Sequence, residues 1–125
     1  GGTPGGPLLG GYCATKHAIE AIAGSMKAEL EPYGVKVATV NPGVFGTGFN
    51  DTGAASYVQW YDPQTAVVPM PDFGDSLLNQ ADPQEMIDAM VEIIPAENHL
   101  YRTMRPMATI EAAKQWQQTE WSQNA

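Results

Sequence analysis

Positive charge is scarce in this 125-residue sequence: six Lys and Arg stand against 14 Asp and Glu, for a formal net charge of −8 and a pI of about 4.4. Such a surface repels polyanions, which argues against nucleic acid or an anionic membrane as partner; solubility alone accounts for the acidity. Cysteine is scarcer still. Cys13 alone permits no internal disulfide and fits a reducing cytosol, so a cytoplasmic location is expected and Cys13 reads as a small packing residue. The two histidines, His17 and His99, have no clustered ligands around them, and no metal site is expected. No apolar run approaches the roughly 18 residues of a membrane helix, and no basic segment followed by an apolar one opens the chain. No serine precedes Ser25, and internal repeats and low-complexity tracts are absent. At this length the chain forms one domain at most, with a modest core.

What is present concentrates in residues 12–44, YCATKHAIEAIAGSMKAELEPYGVKVATVNPGV. Tyr12 and Lys16 lie four apart, so on a helix one sits a turn above the other on the same face. At about 100° per residue from Tyr12, Lys16 falls near 40°, Ile19 near −20°, Ala23 near 20°, Met26 near −40° and Leu30 near 0°. Phenol and ammonium therefore share the direction of an apolar stripe, with His17, Ala21, Gly24 and Ser25 opposite. Two readings are open. Either the pair lines a cleft at the end of a core-facing stripe, or Tyr12 is a half-buried aromatic while Lys16 pairs with Glu20 at i+4. The helix is expected over 12–33, with Pro32 fitting its last turn poorly and Tyr33-Gly34 stopping it. The β-branched run from Val35 to Val40 predicts a strand over 35–40, ended by Asn41-Pro42-Gly43.

Tyr12-x-x-x-Lys16, a helix of some twenty residues, a Gly-Val-Lys-Val turn into a strand, and then Asn-Pro-Gly-x-x-x-Thr follow in that order. This succession resembles the catalytic half of the short-chain dehydrogenase/reductase family, with Pro42, Gly43 and Thr47 at the family's Pro-Gly-x-x-x-Thr loop. The resemblance implies an α/β fold, the C-terminal portion of a Rossmann-like doubly wound parallel sheet. It also implies reversible hydride transfer between NAD or NADP and a small-molecule alcohol or carbonyl substrate. Tyr12 would be the general acid for reduction and the base for oxidation. A free phenol titrates at about pH 10, and the Lys16 ammonium one turn away would favour the phenolate while holding the nicotinamide ribose. By the same resemblance the backbone of Pro42, Gly43 and Val44 would meet the carboxamide, and Thr47 would add a hydroxyl. A homo-oligomer is expected of the full-length form.

The family's catalytic serine would fall just before Gly1, and Thr3 is the nearest hydroxyl. The residue that separates NAD from NADP users, after the second strand, is likewise not in this chain. The glycines of residues 1–11 follow no strand, so they make no dinucleotide fingerprint. The chain is therefore read as the C-terminal half of such an enzyme. The competing reading is a non-catalytic fragment that lacks the dinucleotide-binding half and acts only by association with a complementary chain.

Residues 1–11 are expected to be loop. Residues 41–80 are punctuated by glycine and proline, yet Phe49, Tyr57, Trp60, Tyr61 and Phe73 are many rings for a solvated segment. The resemblance implies a mobile substrate lid here, with Ala54 to Tyr61 as a candidate helix and Phe49, Tyr57 and Trp60 as substrate contacts; alternatively the rings pack against the body. Asn50-Asp51-Thr52 matches a glycosylation acceptor and is read as incidental. Asp82-Pro83-Gln84-Glu85 carries the signals of a capping box and an N-terminal proline for a helix over 82–94, with Met86, Ala89, Met90 and Ile93 at helical spacing and both methionines as core filler. A short strand is expected over 100–104, parallel to 35–40 through a right-handed crossover. Ile110, Ala113, Lys114, Gln117 and Trp121 mark a closing helix over 109–123. About two strands, three main helices and a lid loop result.

Overall fold

The computed structural model describes residues 6–122, apart from the side chains of residues 75 and 76. Thr3, residues 1–5 of the expected loop and residue 123 of the expected last helix lie outside them. The fold is α/β. Alanine-rich residues Gly10–Leu30 form helix α1, which tightens at Pro32 into a 3-10 turn, Glu31–Tyr33, and ends at Gly34, whose φ of 74° suits a residue without a Cβ. Strand β1 (Thr39–Pro42) follows, then helices α2 (Phe49–Trp60), α3 (Gly74–Leu78) and α4 (Gln84–Ile93), strand β2 (Arg102–Arg105) and helix α5 (Ala108–Glu120). The two strands pair in parallel, with Thr39 opposite Arg102 and Pro42 opposite Arg105.

Several boundaries and faces differ from the sequence-based expectation. The strand expected over 35–40 begins only at Thr39 and runs through Pro42. β-Branched residues favour an extended backbone, but a strand also needs a partner, and β2 begins opposite Thr39. Pro42 can close the strand because its missing N–H falls on the last residue. The lid helix begins at Phe49 rather than Ala54, started by Gly48 at φ 80°. The capping box does not form. Asp82 accepts a bond from the Gln84 N–H at 2.9 Å, whereas Glu85 Oε1 accepts from the Met107 N–H at 3.1 Å and so ties α4 to the start of α5.

The core is small: Cys13, Phe45, Met86 and Ala89 are its buried apolar residues, and Thr39, Asn41 and Thr103 are buried beside them. Met90 is partly exposed, so only one of the two expected core methionines fills the core. On α5 the half-buried residues are Thr109, Ile110, Ala113 and Trp116, while Lys114, Gln117 and Trp121 face solvent. That helix packs on β2 through its first turns, which leaves Trp121, just past its end, 92% exposed. Phe45 is held by a bridge to Ala81, with Gly46 N–H donating to Ala81 O and Ala81 N–H to Val44 O, both at 2.9 Å. Altogether 9144 Å² is exposed, where a compact monomer of 13.4 kDa exposes about 6,500 Å². Among the described residues no helix is long and apolar enough to cross a membrane.

The largest departure concerns α1. The expected core-facing stripe is only partly covered: Lys16, Ala23 and Leu30 are half-buried, whereas Ile19 is 55%, Met26 43% and Tyr12 45% exposed, and Ile22 joins them at 57%. The helix turns instead on the side of Cys13, Lys16, Glu20 and Ala23, because its contact with the sheet is polar.

Candidate active site

Successive strand residues point to opposite sheet faces, so Thr39 and Asn41 share one face of β1 and Arg102, paired with Thr39, joins them from β2. Asn41 is only 3% exposed. The Thr39 hydroxyl donates to Asn41 Oδ1 at 3.0 Å, which leaves the amide nitrogen to donate to Glu20 Oε1 on α1 at 2.5 Å. Arg102 donates to the other carboxylate oxygen, also at 2.5 Å. Burial raises the Glu20 carboxyl, but the hydrogen bond from Asn41 and the charge and hydrogen bond of Arg102 together outweigh it and hold the group below its ordinary value. Lys16 does not pair with Glu20, whose two oxygens face Asn41 and Arg102 instead.

One turn towards the start of α1, Lys16 Nζ lies 5.5 Å from the centroid of the Tyr12 ring, a cation–π arrangement. Among the described residues Lys16 has no carboxylate within ion-pair distance. The Tyr12 ring in turn meets Phe49, the first residue of α2, with centroids 6.3 Å apart. Tyr57 stacks obliquely against Trp60 at 5.0 Å and Phe73 at 5.2 Å, and its hydroxyl donates to Leu8 O, just before α1, at 3.1 Å. Of the three expected substrate residues, Phe49 reaches Tyr12; Tyr57 and Trp60 form a separate aromatic cluster on the same helix. Tyr57 and Phe73 thus pack together, while Phe49 and Trp60 remain more than half exposed.

The Pro-Gly loop leaves β1 beside the exit of β2. Gly43 N–H donates to Arg105 O at 2.6 Å, and a Cβ at Gly43 would stand 2.9 Å from Thr109 Cγ2 and 3.0 Å from Pro106 Cδ. Glycine is required here by the approach of α5. The Gly43 amide is therefore committed within the protein, whereas the Val44 N–H and the Thr47 hydroxyl have no partner among the described residues. Thr47, Gly48, Phe49, Thr52, Gly53 and Ser56 line an open hollow of about 570 Å³. Phe49 thus links that hollow to Tyr12. Among the described residues no group of three His, Cys, Asp or Glu could hold a metal ion.

Glu20, Asn41 and Arg102 escaped the sequence reading. The signal available was the alternation of Thr39 and Asn41, two polar residues on one face of a β-branched run.

Comparison with known proteins places these features. Residues 1–57 match the family model described as short chain dehydrogenase. Over 91% of its length the chain is 29% identical to a 3-ketodihydrosphingosine reductase of Bacteroides thetaiotaomicron, of which it covers 44%. Shorter stretches resemble retinol dehydrogenase 16 of Mus musculus (51% identity over 31% of the chain and 12% of the relative) and 17-beta-hydroxysteroid dehydrogenase type 6 of Homo sapiens (40% over 35% and 14%). The chain spans less than half the length of these curated relatives. No solved structure matches. That family match falls on the helix that carries Tyr12 and Lys16 and on the Pro-Gly loop, and it is there that the chain is similar to the short-chain dehydrogenase/reductase family of oxidoreductases.

Proposed function

We propose that this chain supplies the proton-handling and nicotinamide-facing part of an NAD(P)-dependent oxidoreductase acting on an alcohol or carbonyl group of an apolar small molecule. The observation that carries this reading is the Lys16 ammonium over the Tyr12 ring, unpaired with any described carboxylate, with Phe49 against the same ring. The donor set fits a nicotinamide nucleoside: Lys16 for the ribose hydroxyls, the Val44 N–H and the Thr47 hydroxyl for the carboxamide. Pro42 has no N–H to offer, and Gly43 serves by letting the loop pack closely. Bound there, the cofactor would supply or accept the hydride. Tyr12 Oη gives its proton to the carbonyl oxygen in reduction and takes one from the hydroxyl in oxidation, while Lys16 keeps a positive charge beside it. Phe49 offers the substrate an apolar wall, and Tyr57, bound to Leu8 O and set against Phe73, ties α2 to the body. The names of the relatives, a retinol, a hydroxysteroid and a ketodihydrosphingosine enzyme, point to the same apolar class.

The test is turnover of reduced nicotinamide with apolar carbonyl compounds, by the enzyme that contains this chain. Tyr12→Phe should lower kcat by about 10²–10⁴-fold. Unchanged turnover would end the role assigned to Tyr12. A second reading is favoured by the excess exposed area and by the unpartnered apolar rows of α1 and α4: the chain alone is non-catalytic and associates with a complementary chain or a second copy. Nicotinamide titration separates the two, since saturable binding by the 125-residue chain alone contradicts the associating fragment. The cytoplasm suits either reading.

A further inference from the structure

We infer that Glu20 is a positioning residue: by accepting hydrogen bonds from Asn41 of β1 and Arg102 of β2 it sets the rotation of α1 about its own axis, and so where Tyr12 and Lys16 point. The inference rests on the catalytic reading of those two residues.

Apolar burial within this chain does not decide this rotation. Measured from Tyr12 at about 100° per residue, the exposed Ile19, Met26 and Ile22 cluster near −45°, whereas Cys13, Lys16, Glu20, Ala23 and Leu30, the residues turned to the protein, centre near 50°. About 100° thus separates the row that the hydrophobic effect would bury from the side that is covered. Cys13 is the one buried residue of α1, too small a contact to hold a helix of 21 residues against that preference. The polar tie is better built. Thr39 fixes which end of the Asn41 amide faces α1, Asn41 is buried and rigid in its strand, and Arg102 is set beside it by the strand register. The two carboxylate oxygens each take one donor from a different strand, which resists rotation in both directions.

The consequence at the site follows from helix geometry. A side-chain tip about 6 Å from the axis moves about 3 Å when the helix turns by about 30°. Reaction needs the acid within about 3–3.5 Å of its partner, and a misplacement of about 1 Å can cost about 100-fold. The orientation of Tyr12 against Phe49 is thus set two turns away.

Solution NMR of the 125-residue chain reads this directly as the cross-peak between the Tyr12 and Phe49 rings. In Glu20→Ala, with far-UV circular dichroism showing the helices retained, the cross-peak is expected to be lost; a residue that merely adds stability would leave it intact. Glu20→Gln keeps the shape but turns one of the two acceptor oxygens into an NH2 donor, which then faces the donor of either Asn41 or Arg102, so the cross-peak should weaken. The pair Glu20→Gln with Asn41→Asp reverses the donor and acceptor of the 20–41 bond and leaves Arg102 an acceptor, so it should restore the peak. If Glu20→Ala does not fold, Glu20→Gln and the double variant carry the test. A parent-strength cross-peak in the folded Glu20→Ala or, failing that, in Glu20→Gln overturns the inference, as does a double variant no better than the single one. Because the ring contact is read without turnover, failure of Tyr12 as acid and failure of Glu20 as positioner are separate results. In the full enzyme, Glu20→Ala should lower kcat by about 100-fold.

Discussion

Gly43→Ala is the most informative single change in the Pro-Gly loop. The added methyl would lie 2.9 Å from Thr109 Cγ2, 3.0 Å from Pro106 Cδ and 3.2 Å from Arg105 O. Carbon atoms settle at about 3.5–4.0 Å, so something must retreat by at least about 0.6 Å. Pro106 is a ring, Arg105 O is backbone, and Thr109 is held by its own hydroxyl bond to Pro106 O at 2.6 Å. The loop is what moves, and the Gly43 N–H to Arg105 O bond stretches with it. Overpacking of this kind costs about 1–3 kcal/mol, and weakening the hydrogen bond adds about 1 kcal/mol. With a urea slope of about 1.5 kcal/mol/M, a loss of about 2–4 kcal/mol moves the unfolding midpoint down by about 1–3 M. Thr109→Ser removes Cγ2 but keeps the hydroxyl, so the double variant should recover about 1 kcal/mol in a double-mutant cycle. A Gly43→Ala midpoint equivalent to less than about 0.5 kcal/mol of change would refute the reasoning, because surface glycines without a close neighbour behave that way.

Three further outcomes are expected. Met86→Ala on α4 opens a cavity in a core with few buried side chains and should cost about 2–4 kcal/mol by urea unfolding. Glu20 titrates below its ordinary value of 4.5 in the folded chain, so its stabilisation is complete above the unfolded value and is lost as pH falls through the lower folded one. The stability gap between the parent and Glu20→Gln should therefore close on acidification below pH 4.5, and a gap independent of pH would contradict the ion pair. Tyr57→Phe removes the bond to Leu8 O, exposed enough to cost only about 0.5–1 kcal/mol, and should speed amide hydrogen exchange in α2 while leaving α4 unchanged.

Local signals were enough to place the helices α4 and α5, because proline stops and the change from helical spacing to β-branched runs act over a few positions. They failed wherever a partner distant in sequence decided the outcome. Val35 to Val40 has strand propensity throughout, yet only what lies opposite β2 becomes strand. Glu20 had an obvious partner at i−4 in Lys16, and lost it to residues 21 and 82 positions away. The same pair of contacts turned α1 away from its apolar stripe, so the Tyr12–Lys16 proximity could be read from spacing while the direction in which the pair faces could not. Phe49 was expected near the substrate and does reach Tyr12; farther along the same helix, Tyr57 meets Phe73 and Trp60 instead.

The seam between the Pro-Gly loop and the start of α5 carries a lesson for engineering. Residues 42–47 look like a self-contained cassette, yet Gly43 is moulded against Arg105, Pro106 and Thr109, more than sixty positions downstream. Transplanting the loop from a relative with different residues there should distort the transplant. Moving both segments together should let it keep its shape.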